Sequence, residues 1–457
     1  MRRPAARSDK RAAYPAYKPS GVSWLGEIPA HWDPVRLRYR AKINPIRSEI
    51  NGLPGTLDVS FVPMESVHEY GGLSLDQSRP LAEVSTGYTY FRDGDVLAAK
   101  ITPCFENGKG AIAHELMNGI GFGTTELHVL RPHPSMDRHF LFYVTISHAF
   151  RNLGAAEMYG AGGQKRVPEI FIRDFRQSIP PLKEQRTIAA FLDHETARID
   201  VLIKKKQRQI ELLQEKRLAL ITQAVTKGLD PNIKMKDSGI EWLGEIPRHW
   251  SLKRLKFVST LQTGLTLGKK YENEELVTRP YLRVANVQDG YLDLTTITEI
   301  ELPNKDTARY ELRHGDVLMT EGGDFDKLGR GYVWEDQIPG CLHQNHIFAV
   351  RPNSSQLNSH FLASVLTSFH GKNYFTSTSQ QTTNLATTNS TKLRSFPLPL
   401  PPLTEQEEIL SHLRRSTGHL DNLRHQIDLS IEKLREYRTA LISAAVTGKI
   451  DVRKEVS

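Results

Sequence analysis

The chain has 457 residues and a formal net charge of +8, with 60 Lys and Arg against 52 Asp and Glu. This length allows roughly two to four domains, and so mild a basic excess is compatible with a nucleic-acid partner without requiring one. The two cysteines, Cys104 and Cys341, have no Cys-x-x-Cys motif and no paired histidine spacing. The sequence argues against a zinc site or a disulfide framework. It predicts a cytoplasmic protein, since no apolar run could span a membrane.

The chain begins with a basic segment, and the segment that follows it is repeated later in the chain. Residues 1–19 are basic and poor in apolar side chains, which predicts a disordered arm and no signal peptide. The segment SGVSWLGEIPAHWDPVRLRY, from Ser20, recurs as SGIEWLGEIPRHWSLKRLKF, from Ser238, at an offset of 238 − 20 = 218. Its tryptophans are candidate binding aromatics, but the Gly- and Pro-rich context favours side chains that pin the segment against the base of a helix.

Mixed sequence follows each copy and predicts α+β domains over residues 20–180 and 230–401. Short β-rich runs are bounded there by Gly, Asp, Asn and Pro. Helices are predicted over Asp137–Leu153 and near Ser359–Ser368. The predicted strands are Val59–Pro63, Tyr88–Phe91, Val96–Ile101, His128–Arg131, Leu282–Val287, Val317–Thr320, Gly331–Trp334 and Ile347–Arg351.

The two domains match each other only in patches. The best patch is RDGDVLAAKITPCFENGKGA, from Arg92, against RHGDVLMTEGGDFDKLGRGY, from Arg313. A second match is an Arg-Pro pair at Arg131 and at Arg351, 220 residues later. The halves therefore share a frame and differ in their loops, which is the layout of a protein that does one job twice, on two targets.

Each domain is followed by a long helical stretch, 181–229 and 402–449, and a short tail, 450–457, ends the chain. The stretches begin PPLKEQ and PPLTEQ, and Glu184 and Glu405 fix an offset of 405 − 184 = 221. Good helix formers dominate, and apolar residues recur at steps of mostly 3, 4 or 7. Thr404 and Glu407 are spaced as a capping box.

Such a stripe is too long for one small domain to bury. At 1.5 Å per residue, about 45 residues span roughly 65 Å. The nearest suitable partner is the other copy, which predicts an antiparallel two-helix coiled coil with a domain at each end and a pseudo-two-fold from the duplication. In the simpler alternative, each helix is only the last helix of its own domain.

Motifs for catalysis are missing from the sequence. The nearest approach to a Walker A loop, around Gly264, has the wrong glycine spacing and no final Ser or Thr. There is no dinucleotide-type glycine turn, nucleophile elbow or His-Glu-x-x-His. Asp95 and Asp316 could be metal-binding acids of a nuclease, but a Gly-Asp pair more often closes a turn. We therefore predict no catalytic residue and no metal site.

Cations and polar groups in Gly-rich loops remain as candidates for DNA contact. Lys and Arg bind phosphates, and Arg and Lys also read base edges. Any single one is more often a solvated surface charge. Lys109 and Arg330 are favoured, because each lies between two glycines in both halves. The predicted DNA-binding residues are Lys100, Thr102, Lys109, Lys165, Arg166, Lys269, Lys270, Lys327, Arg330, Lys392 and Arg394.

The chain resembles the specificity subunits of type I restriction–modification systems from about residue 14 onward. The resemblance rests on WLGEIPAHW and WLGEIPRHW, on GDVLAAKITPCFENGKG and GDVLMTEGGDFDKLGRG, and on the PPLKEQ and PPLTEQ helices that end in AVTKG and AVTGK. It implies two target-recognition domains on an antiparallel coiled coil, each reading half of a split double-stranded DNA sequence. It also implies a non-catalytic subunit that binds two methyltransferase subunits and restriction subunits. The complex, not this chain, would use S-adenosylmethionine, ATP and Mg²⁺.

The outward helix faces are then predicted to bind the partner subunits. The residues assigned to them are Glu184, Gln185, Lys204, Lys205, Lys206, Glu405, Gln406, Arg414 and Arg415. The alternative function is a coiled-coil scaffold whose globules bind proteins or glycans. Because the loops of the two halves differ, the DNA-reading hypothesis predicts a bipartite, asymmetric target whose spacer is set by the helices.

Overall fold

A computed structural model describes residues 12–160, 163–266, 268, 271, 274–323, 329–381 and 386–455. The chain divides into two compact units. Unit 1 comprises Met1–Lys206 and Leu429–Ser457, and unit 2 comprises Gln207–Asp428. Each unit therefore contains one globule and a segment of each long helix.

Unit 1 begins with a small globule of short strands and four short helices. The helices are α1 Leu81–Val84, α2 Arg138–Ile146, α3 His148–Ala156 and α4 Glu169–Asp174. The strands are β1 Tyr17–Pro19, β2 Glu27–Pro29, β3 Asp33–Arg36, β4 Ala41–Ile43, β5 Asp58–Val62, β6 Ser78–Pro80, β7 Thr89–Arg92, β8 Val96–Ala99, β9 Gly110–Ile112, β10 Ile120–Gly123, β11 Leu127–Pro132 and β12 Arg176–Ile179.

Two four-stranded sheets form the body of this globule. One has the order β4-β11-β8-β9 and is antiparallel, and the other has the order β6-β5-β10-β7, in which β5 and β10 run parallel. Phe91, Leu97 and Val129 are fully buried in one cluster, and Val59 and Phe122 in another. Burial of this apolar surface is the main favourable contribution to folding of the globule.

The first long helix, α5, is Leu182–Lys227. Unit 2 then adds helices α6 Asn304–Tyr310, α7 Ser359–Thr367, α8 Phe369–Thr378 and α9 Ser390–Ser395, and the second long helix, α10, is Leu403–Val446. The strands are β13 Met235–Asp237, β14 Glu245–Pro247, β15 Ser251–Arg254, β16 Ser259–Thr263, β17 Leu276–Leu282, β18 Thr298–Pro303, β19 Val317–Thr320, β20 Gly322–Gly323, β21 Gly331–Val333, β22 Leu342–His343, β23 Ile347–Pro352, β24 Gln380–Gln381, β25 Ala386–Thr387 and β26 Pro397–Leu400.

The central sheet of unit 2 repeats that of unit 1. Its order is β16-β23-β19-β21, strand for strand the counterpart of β4-β11-β8-β9. The two-stranded sheets β13-β14 and β15-β26 likewise repeat β1-β2 and β12-β3, and β18-β17-β22 has the order of β6-β5-β10. The small β20-β25-β24 sheet of unit 2 has no counterpart among the named sheets of unit 1 in the described residues. The shared frame that the sequence patches predicted is thus this antiparallel sheet with the helices that follow it.

The helix predicted in the first half is broken in two, whereas the helix predicted near Ser359–Ser368 forms as α7. The stretch predicted as Asp137–Leu153 forms α2 and α3, separated by Ser147, whose backbone is extended and whose hydroxyl accepts from the amide N–H of Phe150. Ser368 separates α7 from α8 in the same way, accepting from Gly371. A serine side chain competes for backbone hydrogen bonds and starts a new helix, an effect that the apolar pattern did not show.

The predicted strand Leu282–Val287 is wrong over most of its length. β17 ends at Leu282, and Val284–Asn286 form a single 3₁₀ turn. The side-chain oxygen of Asn286 accepts from the Arg283 amide at 2.8 Å, and its amide group donates to the carbonyls of Asp293 and Thr296. These bonds replace the strand pairing that the apolar run suggested.

The predicted disordered arm must be shortened. Within residues 1–19, β1 pairs with β2, and Tyr14 is buried. The tail is also packed, because Val452 is fully buried and the amide of Asp451 donates to the carbonyl of Ala12 at 2.7 Å. The guanidinium of Arg453 also lies over the ring of Tyr14, so the two ends of the chain pack together.

The capping box predicted at Thr404 is not formed. α10 begins at Leu403, directly after Pro402, so Thr404 lies inside the first turn. The amide of Gln406 donates to the Pro402 carbonyl at 3.0 Å, as the amide of Gln185 does to the Pro181 carbonyl in α5. Both helices therefore start from their second proline, whose fixed φ suits a helix start.

Within each unit the two long-helix segments run antiparallel. In unit 1, Asp200 pairs with Arg438, and Glu184, near the start of α5, lies beside Arg453, beyond the end of α10. In unit 2, Arg217 pairs with Asp421 at 3.5 Å. The two ion pairs are duplicates, since 421 − 200 and 438 − 217 both equal 221.

One of the buried histidines of unit 2, His343, makes the stability of this unit depend on pH. Its Nδ1–H donates to the Ile347 carbonyl at 3.0 Å, and its Nε2 accepts from the Gln262 amide at 3.3 Å. Burial lowers the pKa of His343 to about 4. An unfolded histidine has a pKa of about 6.5, so the native state must lose stability as the pH falls from about 6.5 to about 4.

We expect this histidine to cost unit 2 about 3 kcal/mol of unfolding free energy between pH 6.5 and pH 4. The measurement is chemical denaturation at a series of pH values. In His343→Gln the slope over this range should be shallower than in the wild type. Equal slopes would show that His343 stays neutral in the unfolded chain or is protonated in the folded one.

Candidate nucleic-acid interface

Three loops meet at one edge of the central sheet in each unit, and we call this the loop edge. In unit 1 it consists of the described residues among 100–109, 124–126 and 157–167. In unit 2 it consists of the described residues among 321–330, 344–346 and 379–388. In both units the first loop follows a strand of the shared sheet (β8 or β19), the second precedes one (β11 or β23), and the third follows a helix (α3 or α8).

The backbone of the loop edge is the same in both units. In unit 1, the amide of Val167 donates to the carbonyl of Lys100 at 2.8 Å, and the amide of Lys100 donates to the carbonyl of Glu126 at 2.9 Å. In unit 2, the amide of Thr388 donates to Glu321 at 2.8 Å, and that of Glu321 to His346 at 2.9 Å. Lys100 and Glu321 are therefore equivalent positions, as are Glu126 and His346.

The loop edge of unit 1 carries a net positive cluster. Arg166 donates through Nε and Nη2 to the carboxylate of Glu126, with the closest approach 2.9 Å. The hydrogen bond from Arg166 lowers the pKa of Glu126, and the charge of Lys100 acts in the same direction. Thr102 donates its hydroxyl to the Gly163 carbonyl and accepts from the Lys165 amide, both at 3.0 Å. Four predicted DNA-binding residues, at positions 100, 102, 165 and 166, are thus brought together.

The loop edge of unit 2 carries the opposite pattern. Nδ1 of His346 lies 2.6 Å from Oε2 of Glu321, and both side chains are partly or largely exposed. Thr387, on β25, occupies the position of Arg166. Basic residues were the signal for DNA contact in the sequence, so Glu126, Glu321 and His346 were not predicted. Only their position next to matching strand ends could have indicated them.

A cleft of about 630 Å³ adjoins the loop edge of unit 1. Its walls include Lys100, Arg47 and the rings of Tyr88 and Tyr90. Cations and aromatic rings around a groove suit contact with phosphates and bases. The cleft extends the polar surface of the loop edge. Of its lining residues, Lys100 alone was among the predicted DNA-binding residues.

The two favoured cations, Lys109 and Arg330, donate hydrogen bonds to groups of their own globules. Nζ of Lys109 donates to the Met64 carbonyl at 3.3 Å, and Nη1 of Arg330 donates to the Gln288 side chain at 3.3 Å. Their flanking glycines serve the sheet: a Cβ on Gly110 or on Gly331 would lie 2.6 or 1.8 Å from a carbonyl oxygen of the neighbouring strand. The glycines therefore do not indicate a close approach to DNA.

The other predicted DNA-binding residues are not part of the described loop edge. Lys392 and Arg394 lie on α9, where the Lys392 carbonyl accepts from the Tyr374 hydroxyl and the Arg394 side chain is exposed. Lys269, Lys270 and Lys327 lie outside the described residues. The structure neither groups these five nor separates them from DNA.

Four of the predicted partner-binding residues bond instead to their own globules, three of them buried and Glu405 partly exposed. Glu184 and Glu405 accept from the indole N–H groups of Trp32 and Trp250 at 3.1 and 3.0 Å. These bonds confirm the prediction that tryptophans hold the repeated segment against the base of each long helix. Trp24 instead stacks on Phe175 of the globule.

Gln185 and Gln406 are both buried. Gln185 accepts from the Asp137 amide at 2.7 Å, and Gln406 accepts from the Asn358 amide at 2.8 Å. These contacts correct the assignment of the Glu-Gln pairs to a partner surface, because their polar atoms hold each globule onto its helix. Lys204, Lys205, Arg414 and Arg415 are exposed on the helices and Lys206 is partly exposed, so these five stay predictions.

The Gly-Asp aspartates form buried ion pairs that the sequence did not anticipate. Asp95 is fully buried and accepts from Nε and Nη2 of Arg131, both at 2.7 Å. Asp316 and Arg351 repeat this geometry at 2.7 Å. Asp95 also accepts from the amide of Arg92 at 3.0 Å, the turn closure that was predicted.

Both oxygens of each carboxylate already accept hydrogen bonds from an arginine, which leaves neither aspartate free to bind the metal of a nuclease. Among the described residues, no cluster of His, Cys, Asp and Glu could hold a metal ion. In that same part of the chain, every helix is too short or too polar to cross a lipid bilayer.

The fold and the loop edges define an α+β protein of two units that present different polar side chains on the same kind of sheet. The family model of the type I restriction modification DNA specificity domain matches residues 77–212 and 247–433, more than half of the chain. The chain belongs to this family and is a DNA specificity subunit of the type I restriction–modification class.

Two relatives from Escherichia coli illustrate the match. The specificity subunit of the type I restriction enzyme EcoAI is 41% identical over 164 residues, which is 35% of this chain and 27% of that relative. The specificity subunit of EcoEI is 24% identical over an alignment that covers 92% of this chain and 83% of that relative.

A solved structure supports the fold. It comes from work on complex assembly and conformational transition of the type I R-M system, and it matches with a TM-score of 0.66 at 18% identity, covering 92% of this chain and 98% of that one. At this identity the likeness concerns the fold alone, and it agrees with a two-domain mixture of helix and sheet.

Proposed function

We propose that this chain reads a split, asymmetric DNA sequence, one half with the loop edge of each unit. The observation that carries the proposal is the common backbone of the two loop edges, on which Lys100 of one unit is replaced by Glu321 of the other. A shared frame lets two units approach two half-sites in the same way. Different side chains on that frame make the half-sites different in sequence.

We further propose that the long helices pair along their whole length as an antiparallel coiled coil and fix the spacing of the half-sites. The duplicated ion pairs Asp200–Arg438 and Arg217–Asp421, one in each unit, support this arrangement. The scaffold alternative, with globules that bind proteins or glycans, has no support from the relatives, which are specificity subunits of restriction enzymes.

The partners proposed for this chain are double-stranded DNA, two methyltransferase subunits and restriction subunits. The exposed helix residues proposed to contact these subunits or the DNA phosphates are Lys204, Lys205, Arg414 and Arg415. The chain itself would be non-catalytic. S-adenosylmethionine, ATP and Mg²⁺ would be bound by the partner subunits and not by this chain.

Methylation of a random DNA library tests the function. The chain is combined with its methyltransferase subunits, and the methylated positions are mapped. We expect methylation confined to one bipartite motif with two unlike halves. A symmetric motif would contradict the asymmetry, and sequence-independent methylation, or none in a complex that assembles, would contradict the function.

Removing the charge of Lys165 is expected to weaken DNA binding, because its proposed contact with a phosphate is lost. Lys165 is exposed on the loop edge, whereas Lys109 is half-buried and bound to the Met64 carbonyl. In Lys165→Ala, the slope of log K against log salt should decrease by about 0.9 for each lost contact, and in Lys109→Ala by less.

The control for this measurement is Lys454→Ala, an exposed cation outside the loop edge. Its salt dependence should match that of the wild type in a titration by fluorescence anisotropy. If Lys165→Ala behaves like this control, the loop edge of unit 1 does not meet the DNA backbone.

A further inference from the structure

Three equivalent positions of the loop edges carry opposite hydrogen-bonding character. We propose that these positions determine what each unit recognises: base acceptors, such as O6 and N7 of guanine, in unit 1, and the amino group of a cytosine or adenine in unit 2. The inference rests on the proposed function and specifies its chemistry. The positions, with unit 1 first, are Lys100 and Glu321, Glu126 and His346, and Arg166 and Thr387.

In unit 1 two of the three side chains, Lys100 and Arg166, present donors. Arg166 is 41% exposed, and its bond to Glu126 uses Nε and Nη2. A guanidinium has five N–H donors, so those on Nη1 point away from Glu126 toward the surface. Lys100 lies close enough to Glu126 for its charge to lower the pKa of that carboxyl. The carboxylate thus holds the arginine in place, and Arg and Lys are the side chains that read guanine acceptors.

In unit 2 the same positions present an acceptor. Glu321 is 30% exposed, and only Oε2 lies within reach of His346. An ionised carboxylate has about four lone-pair sites, and it accepts from the amino groups of bases. Thr387 supplies no charge where unit 1 has Arg166. Unit 2 is therefore matched to a base that donates.

Stability does not account for these exposed polar groups. His346 is 56% exposed, and a pair between solvent-exposed ions contributes little to folding. The backbone frame already forms with either set of side chains, as the two units show. The contribution of these side chains therefore lies in what they contact outside the chain.

Exchange of the three residues tests the inference. One variant carries Lys100→Glu, Glu126→His and Arg166→Thr, and the reciprocal variant carries Glu321→Lys, His346→Glu and Thr387→Arg. Each is assembled with the methyltransferase subunits, and methylated sites are mapped in a random DNA library. We expect each variant to lose its own original half-site preference by about 10-fold or more and to keep the other half-site unchanged.

Matched controls carry the same charge change elsewhere. Lys454→Glu in unit 1 and Glu241→Lys in unit 2 alter exposed residues outside the loop edges, so both should methylate the wild-type motif. If a triple variant does not assemble, the single variants Lys100→Gln and Glu321→Gln answer the same question, since they keep the frame and remove the charge.

The outcomes separate the inference from the function on which it rests. Variants that assemble and methylate the wild-type motif with undiminished selectivity overturn the inference alone. A wild-type complex that methylates without sequence preference overturns the proposed function instead. A change in both half-sites from one triple variant would also contradict the inference, because each loop edge is proposed to read one half.

Discussion

Replacing Asp316 with Asn is expected to destabilise unit 2 by about 3–5 kcal/mol, the usual consequence of removing one partner of a buried ion pair. The side chain of Asp316 is fully buried and accepts two hydrogen bonds from Arg351, both at 2.7 Å. Asparagine keeps the shape and the turn bond from the Arg313 amide, so the lost charge dominates the effect. Urea denaturation, with the free energy of unfolding compared between the two proteins, provides the measurement.

Two further variants identify the cause of that loss. Asp336→Asn removes an exposed carboxylate whose contact with His314 is long, 3.9 Å, and it should change stability by less than about 0.5 kcal/mol. The double variant Asp316→Leu with Arg351→Met leaves no orphan charge, so it should recover much of the loss. If Asp316→Asn were no worse than Asp336→Asn, the pair would contribute no more than a surface contact.

The same pair shows what the sequence could and could not predict. The Gly-Asp and Arg-Pro matches were visible in both halves, but nothing local indicates that residues 95 and 131 touch. Residues 316 and 351 are likewise apart in sequence and joined only by the pairing of β19 with β23. Contacts of this kind depend on tertiary structure, which propensity and periodicity do not encode.

The long helices were the most predictable part of the chain. The stretch predicted over 181–229 forms Leu182–Lys227, because a long apolar stripe without proline leaves few alternatives. The break at Ser147 was not predictable from the apolar pattern of the helix predicted over Asp137–Leu153, since a single hydroxyl decides it.

The candidate site was predicted only in part. Four cations and hydroxyls of unit 1 were found because basic residues in Gly-rich loops are a known signal for DNA. Glu321 and His346 were missed because acidic residues do not indicate DNA contact by composition. Their significance comes from occupying the positions of Lys100 and Glu126 on the same backbone, which only the structure reveals.

Lengthening both long helices by one heptad is expected to lengthen the spacer between the half-sites by about 3 base pairs. Seven residues add about 10 Å to a helix, and B-DNA rises about 34 Å in a turn of roughly 10 base pairs. The insertions belong between 206 and 207 and between 428 and 429, where the two units divide. This position leaves the ion pairs Asp200–Arg438 and Arg217–Asp421 inside their own units.

A full heptad is the correct length, because it keeps the apolar stripe of each helix on the same face, whereas three or four residues would rotate it. Methylated positions in a random DNA library give the spacer directly. The bases of both half-sites should stay unchanged, since neither loop edge is altered. A heptad in one helix alone puts the two stripes out of register, so that variant should lose selective methylation. A spacer that stays fixed in the double insertion would mean that the helices do not set the distance between the two readers.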